Sequence, residues 1–328
     1  MRTQFHSSGG RLGAFVGLAL FVCSGCDGSA DSRPSHAAAG RGISKVYAGQ
    51  GPVRVVATTG MVADLVASIG GERLKVESLM GEGVDPHLYK ASPGDLAKLS
   101  AADLIAFNGL HLEGKMGEIF ERLARTRSVV AVGDGVPEPL LRSPPEFAGQ
   151  HDPHIWFDVS LWAQAGDHIA EQLATLDPTH APQHAERWRA YRERLLKLHD
   201  EAKAAITTIP RERRVLVTAH DAFGYFGRAY DIEVRAIQGM STDSEAGVRE
   251  ISRLVDFIVE RGIKAVFVET SVSERNVRAL VEGCHSRGRE VVIGGQLFSD
   301  AMGKAGTADG TYEGMVRHNL RTITGALR

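Results

Sequence analysis

The sequence predicts an α/β protein of two similar lobes, each with a mainly parallel four-stranded sheet flanked by helices, joined by one long helix. Three observations predict it. Short β-branched runs alternate with helical segments between residues 53 and 132, and again between residues 215 and 293. That alternation is the pattern of parallel strands covered by helices. Between the two regions, Trp188, Tyr191, Leu195, Leu198, Ala202 and Ala205 recur every three or four residues, one apolar stripe on a helix. Finally, histidines stand just past strands in both halves, where ligands gather in sheets of this kind.

The chain has 328 residues and a formal net charge of −2, long enough for two domains with their own cores. Hydrophobic residues at 43% and charged residues at 24% fit a globular protein, and the even charge balance leaves no basic patch for nucleic acid. Three cysteines make no disulfide framework. Two of them, Cys23 and Cys26, fall near the N-terminus, and Cys284 is expected to be buried and inert.

Arg2 and Arg11 precede the apolar run from Leu12 to Val22, which is short for a bilayer span and reads as a signal sequence. It ends at Cys23-Ser24-Gly25-Cys26. Small residues before Cys26 resemble the bacterial lipobox, with Cys23 where that pattern prefers Leu; an ordinary cleaved signal peptide is the alternative. Asp27 resembles the residue that retains lipoproteins at the inner membrane. From Gly28 to Gln50 the chain is rich in Gly, Ala and Ser without apolar periodicity, as in a flexible tether.

In the first lobe, strands are expected at Val53–Thr58, Leu74–Leu79, Leu104–Phe107 and Ser128–Val132. Helices are expected at about Met61–Ile69 and Pro93–Ala101. The second strand feeds a loop that ends in Asp85-Pro86-His87, and the same triplet returns at Asp152-Pro153-His154. Proline fixes its own φ and keeps the preceding residue extended, so each triplet is a stiff corner that aims an imidazole. Two such corners look like half of a metal site, although each also reads as an Asx-Pro turn with an exposed histidine. His111, with no stiff corner, is expected to be solvated, and His151 to lie at the surface or behind the ligands.

A helix at about Leu161–Leu176 leads to the breaker Asp177-Pro178. The long helix then runs from about Pro182 to Ile206, roughly 35–40 Å at 1.5 Å per residue. His180, His184 and His199 are expected on or near its solvated side. The second lobe offers strands at Val215–Thr218, Asp231–Ala236, Ala265–Glu269 and Val291–Ile293. Helices are expected at about Glu245–Arg261, Glu274–Arg287 and Thr311–Leu327. His220 and Asp300 follow strands, and Glu269 competes with Asp300 for the role of carboxylate ligand. The resulting boundaries are 1–26 for a lipoprotein signal peptide, 27–50 for the tether, 51–179 for the first lobe, 180–208 for the linking helix and 209–328 for the second lobe.

Five segments together carry a resemblance: Val84-Asp85-Pro86-His87, Asn108-Gly109-Leu110, Asp152-Pro153-His154-Ile155-Trp156, the stretch from Val217 to Phe226, and the stretch from Gly294 to Gly303. The chain resembles the TroA-like zinc/manganese solute-binding lipoproteins of ABC transporters, the family of TroA, PsaA, MntC and ZnuA, from about Val53 to Leu327. The resemblance implies two α/β lobes joined by a long helix, with Zn²⁺ or Mn²⁺ in the cleft. It implies His87 and His154 as ligands from the first lobe, and His220 and Asp300 from the second. Manganese-type members generally place Glu where His220 stands. Zinc importers often carry a His-rich loop and lack the aspartate, whereas Pro137–Gly149 here contains no histidine. The resemblance further implies a monomer that is not an enzyme, anchored at the extracytoplasmic face of the inner membrane by a lipid on Cys26. Its partners would be an ABC permease and, through it, an ATPase. Rivals on the same residues are a metallohydrolase, for which no H-E-x-x-H motif is present, and a surface adhesin. A Cys26→Ser form is expected to lose its acyl chains and leave the membrane fraction; acyl labelling that persists in this variant contradicts the lipobox reading.

Overall fold

The computed structural model describes residues 42–147 and 149–328. The expected signal peptide, Cys26 and most of the expected tether lie outside the described residues. Among the described residues no helix is long and apolar enough to cross a membrane.

The first lobe is a four-stranded parallel sheet. It comprises β1 (Val53–Ala57), β2 (Leu74–Ser78), β3 (Leu104–Phe107) and β4 (Ser128–Ala131), in the order β2-β1-β3-β4. Its helices are α1 (Gly60–Gly70), α2 (Pro93–Ala101) and α3 (Gly117–Ala124). Local signals set their ends. Thr59 caps α1, and Ser92 with Asp95 forms a capping box ahead of Pro93 in α2. Only α3 was not expected from the sequence; it has eight residues, of which only Phe120 and Ala124 are buried, too few for a period to show.

Along β1 the side chains alternate between two cores. Val53, Val55 and Ala57 enter the larger cluster, and Val56 enters a second one with Ile105, Phe107 and Phe120. The second lobe does the same, since Val215, Val217 and Ala219 face one cluster and Leu216 faces the other. The cluster that holds Leu216 is the same one that holds Val53, so a single apolar core runs through both lobes.

Between the lobes lie α4 (Val159–Leu176) and α5 (Ala181–Thr207). Asp158 caps α4, with its side chain accepting the Ser160 and Leu161 amides. With 27 residues α5 is about 40 Å long. It packs on α1 and α4 and, in the second lobe, on α6 (Gly224–Tyr230) and α9 (Tyr312–Leu327). Gly166 of α4 permits this approach, because a Cβ there would overlap the Trp188 ring. The buried stripe starts four residues earlier than expected: His184 is 1% exposed and sits one turn before Trp188, so it is not solvated. His180 and His199 are half-buried, the first against Asp177 and the second against the Tyr230 hydroxyl.

The second lobe holds β5 (Val215–His220), β6 (Glu233–Gln238), β7 (Ala265–Glu269) and β8 (Val292–Leu297), with α7 (Val248–Arg261) and α8 (Arg275–Ser286). All pairing is parallel, but as two ladders, β5–β6 and β7–β8, where one four-stranded sheet was expected. β5 and β7 lie side by side. The carboxylate of Glu269, the last residue of β7, accepts the Ala219 and His220 amides of β5 at 2.8 and 3.0 Å, in place of ladder bonds. β5 also runs two residues further than expected, so His220 is its last residue. Cys284 is fully buried, and burial pushes its thiol pKa up, which fits an inert thiol.

Residues 42–50 of the expected tether lie on the first lobe. Gly42 pairs with Val129, the Tyr47 amide donates to the Leu176 carbonyl at 2.7 Å, and Arg73 donates to the carbonyls of Gly49, Gln50 and Gly51. Backbone acceptors do this work, and composition does not reveal them.

Because the core is shared, unfolding is expected as one transition for both lobes. Leu195→Ala, in the middle of α5 and 0% exposed, is expected to cost about 2–5 kcal/mol and to shift that single transition downward. Calorimetry resolving two transitions, with only one moved, contradicts a shared core.

Candidate metal centre

The loops after β2, β3 and β4 leave the carboxyl ends of the first sheet and face those after β5, β7 and β8. Both Asp-Pro-His corners fold alike. Asp85 Oδ1 accepts the His87 amide at 2.9 Å, and Asp152 Oδ1 accepts the His154 amide at 3.0 Å. Each aspartate thus closes a turn on the backbone two residues on, and the proline between keeps it rigid.

The corners place His87 and His154 against His220 and Asp300. One ligand atom from each of the four lies within 4.8 Å of the other three, and all four residues are buried. His87 Nε2 is 3.3 Å from His154 Nε2, which is 3.4 Å from Asp300 Oδ1; His220 Nε2 is 3.1 Å from Asp300 Oδ2. The last contact is not aligned as a hydrogen bond, and both His220 Nε2 and Asp300 Oδ1 lack a hydrogen-bond partner. His111 is exposed and His151 half-buried; neither joins the group.

Carboxylates behind the rings orient them. His154 Nδ1 lies 2.8 Å from Asp152 Oδ1, and His220 Nδ1 lies 2.5 Å from Glu269 Oε2. An Nδ1–H that donates to a carboxylate leaves the Nε2 lone pair pointing inward, the form a metal requires. Glu269, weighed against Asp300 as a ligand, lies outside the group and is instead the hydrogen-bond partner of His220. Asp152 Oδ2 is paired in turn with Arg142, whose guanidinium lies over Gly224, where a Cβ would overlap it. Tyr225, next along α6, donates its hydroxyl to the Asp152 carbonyl at 3.0 Å and accepts the Arg142 amide at 3.0 Å. Arg142 sits in a proline-rich loop that carries no motif, so nothing in the sequence marks it.

Two further supports fix the backbones that carry these side chains. Trp156 Nε1 donates across the lobes to the Ser299 carbonyl at 3.1 Å, beside Asp300. Asn108 Nδ2 donates to the Pro153 carbonyl at 2.9 Å. Asn108 opens a turn in which Gly109, Leu110 and His111 all have positive φ, 82°, 53° and 65°, a strained arrangement for the two residues other than glycine. The buried Glu113 carboxylate holds this turn by accepting the Asn108 and Gly109 amides and the Thr58 hydroxyl.

Burial opposes a charge on His154, but the carboxylates of Asp152, hydrogen-bonded to its ring, and of Asp300, facing it, prevail and raise its pKa to about 9. Burial likewise opposes a charge on His220, and the charges of Asp300 and Glu269 overcome it, raising that pKa well above 6.5. For His87 burial prevails and lowers the pKa to about 3. Burial opposes ionisation of Asp300, yet the facing His220 and His154 hold it well below the usual carboxylate range. The pocket thus favours positive charge, which protons or a cation can supply. Three imidazole nitrogens and one carboxylate suit a divalent first-row metal.

Metal binding is therefore expected to displace protons from His154 and His220, and to weaken as pH falls from 8 to 6, roughly tenfold per unit for each proton displaced. Calorimetric titration with zinc at pH 7, in buffers of different ionisation enthalpy, counts those protons; a count of zero contradicts this picture. Glu269→Gln and Asp152→Asn are each expected to weaken zinc binding about 10–100-fold by releasing an imidazole from its orientation.

The family described as ZnuA, the periplasmic zinc-uptake complex component A, matches residues 55–326. The manganese-binding lipoprotein MntA of Bacillus subtilis is 49% identical over 276 residues, covering 84% of this chain and 90% of that protein. The zinc-binding protein TroA of Treponema pallidum is 49% identical over 284 residues, covering 87% of this chain and 92% of that protein. The solved structure of the periplasmic zinc-binding protein TroA from Treponema pallidum superposes with a TM-score of 0.82 at 49% identity, covering 84% of this chain and 99% of that one.

Proposed function

This chain belongs to the family of the periplasmic zinc-uptake complex component A, and from that premise we propose that it is an extracytoplasmic solute-binding protein. It captures one divalent transition metal, zinc or manganese, between its lobes and delivers it to an ABC permease. The observation that carries the reading is the group His87, His154, His220 and Asp300, buried and drawn from both lobes. These four residues are the proposed ligands. The metal is cargo: it neutralises the inward lone pairs and Asp300, and it bridges the lobes, so a permease can tell loaded from empty protein by their arrangement. The shared core and continuous α5 favour a small rearrangement over a wide hinge.

The remaining parts follow the same reading. Cys26 carries the lipid that anchors a monomer at the inner membrane, and the permease couples it to an ATPase. Residues 51–179, 180–208 and 209–328 serve as first lobe, linking helix and second lobe. The carboxylates Asp152 and Glu269 are committed to imidazoles, which suits retention of a metal better than activation of water by a general base, so transport is preferred to metallohydrolase chemistry.

A ligand that binds only the native state stabilises it by about 4 kcal/mol at 1,000 times Kd. Zinc is accordingly expected to raise the melting temperature of wild type far more than that of His87→Ala, His154→Ala, His220→Ala or Asp300→Ala, while His111→Ala behaves as wild type. Equal shifts in wild type and His220→Ala would remove the second lobe from the site.

The two relatives at 49% identity are named for different metals, so the choice falls to the donor set. Three nitrogens and the general affinity order both favour Zn²⁺ over Mn²⁺. Competitive titration of metal-free protein is expected to show tighter zinc binding, with His220→Glu moving relative affinity toward manganese. A wild type that prefers manganese would mean that carboxylate geometry at Asp300 governs the choice.

A further inference from the structure

One loop of the second lobe, residues 239–247 between β6 and α7, meets the first lobe at three points. The Phe147 ring lies against Gly239, where a Cβ would come within 2.6 Å of it. Lys115 Nζ pairs with Asp243 Oδ1 at 2.9 Å, and the Thr242 hydroxyl donates to Asp85 Oδ2 at 2.6 Å. These contacts differ in kind. Lys115 and Asp243 keep 40% and 46% of their side-chain surface in water, so their pairing is screened and weak. The Phe147 contact is apolar and sets no direction. Thr242 is buried, and its acceptor is a carboxylate, which makes a short, directional, charge-assisted bond.

The other oxygen of that carboxylate is already in use. Asp85 Oδ1 accepts the amide of His87, so one side chain of the first lobe is held at one oxygen by the ligand's backbone and at the other by a hydroxyl of the second lobe. The comparable turn at Asp152 is stiffened differently, by Arg142 and by the ring of His154 itself. Asp85 has no such bond to the His87 ring; Thr242 supplies its second constraint.

We propose that Thr242 is a positioning residue for the metal site. By donating to Asp85 it fixes the turn that aims His87 while the lobes are together, and metal leaves only after this bond is broken. The inference rests on His87 being a ligand. It predicts a specific effect on release, because the hydroxyl does not touch the metal.

The test is the rate at which zinc-loaded protein gives up zinc to excess chelator, followed by stopped flow. The forms compared are wild type, Thr242→Val, Thr242→Ser, Asp85→Ala and the double variant Asp85→Ala with Thr242→Val. Valine keeps the shape and removes the donor. It is expected to speed release about 10–100-fold, the loss of one buried hydrogen bond to a charged group. Serine, which keeps the hydroxyl, is expected to restore slow release. In the Asp85→Ala background valine is expected to add nothing. Release from Thr242→Val at the wild-type rate overturns the inference, as does equal acceleration with and without Asp85, or fast release from Thr242→Ser. Each of these leaves the ligand reading intact. Failure of wild type to bind zinc overturns the ligand reading and this inference with it.

Discussion

The structure depends on one electrostatic constraint: imidazole nitrogens and a carboxylate are turned toward one another inside the protein. His87 Nε2 and His154 Nε2 stand 3.3 Å apart, and Asp300 closes the group with an oxygen that nothing else satisfies. Lone pairs so arranged repel unless positive charge lies among them, and burial removes the water that would screen them. The surrounding groups sharpen the demand. Asp152 and Glu269 hold the outer ring nitrogens of His154 and His220, and so leave the inner nitrogens to take up a proton or a cation. A cation of two charges answers this constraint without protons, and three nitrogens with one carboxylate are donors that suit a divalent first-row metal.

Holding the constraint requires rigidity, and the fold supplies it through continuity. The core that begins beneath β1 extends along α5 and under β5 without a break. Contacts made for packing also serve the site. Trp156 stands beside His154 and bonds the backbone next to Asp300, and Tyr312 of α9 donates to the Trp156 carbonyl at 2.6 Å. Arg142 leans on Gly224 of the opposite lobe while it supports Asp152. His87 and His154 are therefore steadied partly by second-lobe residues, and the two halves of the site are not independent.

Much of this was legible in the sequence because stiff local chemistry writes itself there. Asp-Pro-His fixes a corner whatever surrounds it, and β-branched runs mark the strands, at or just past whose carboxyl ends both His220 and Asp300 fall. The family resemblance then singled out the four residues that the structure brings together. Features that arise only from tertiary proximity were not legible. Arg142 has no motif, and Glu269 read as a rival ligand because its meeting with His220 joins residues 49 apart in the chain. His184 read as solvated because the stripe was counted from Trp188, although the same period extended one turn back reaches it. Residues 42–50 read as tether because their anchoring uses backbone carbonyls, to which composition is blind.

The central claim is that one metal is held at once by three imidazoles and one carboxylate from both lobes. X-ray absorption at the zinc edge of the loaded protein addresses it directly. The expected spectrum has four nitrogen and oxygen neighbours at about 2.0–2.2 Å with the outer-shell scattering of three imidazole rings, reduced to two in His220→Ala. A spectrum with one or two imidazoles in the wild type, or one unchanged by His220→Ala, would contradict a site shared between the lobes.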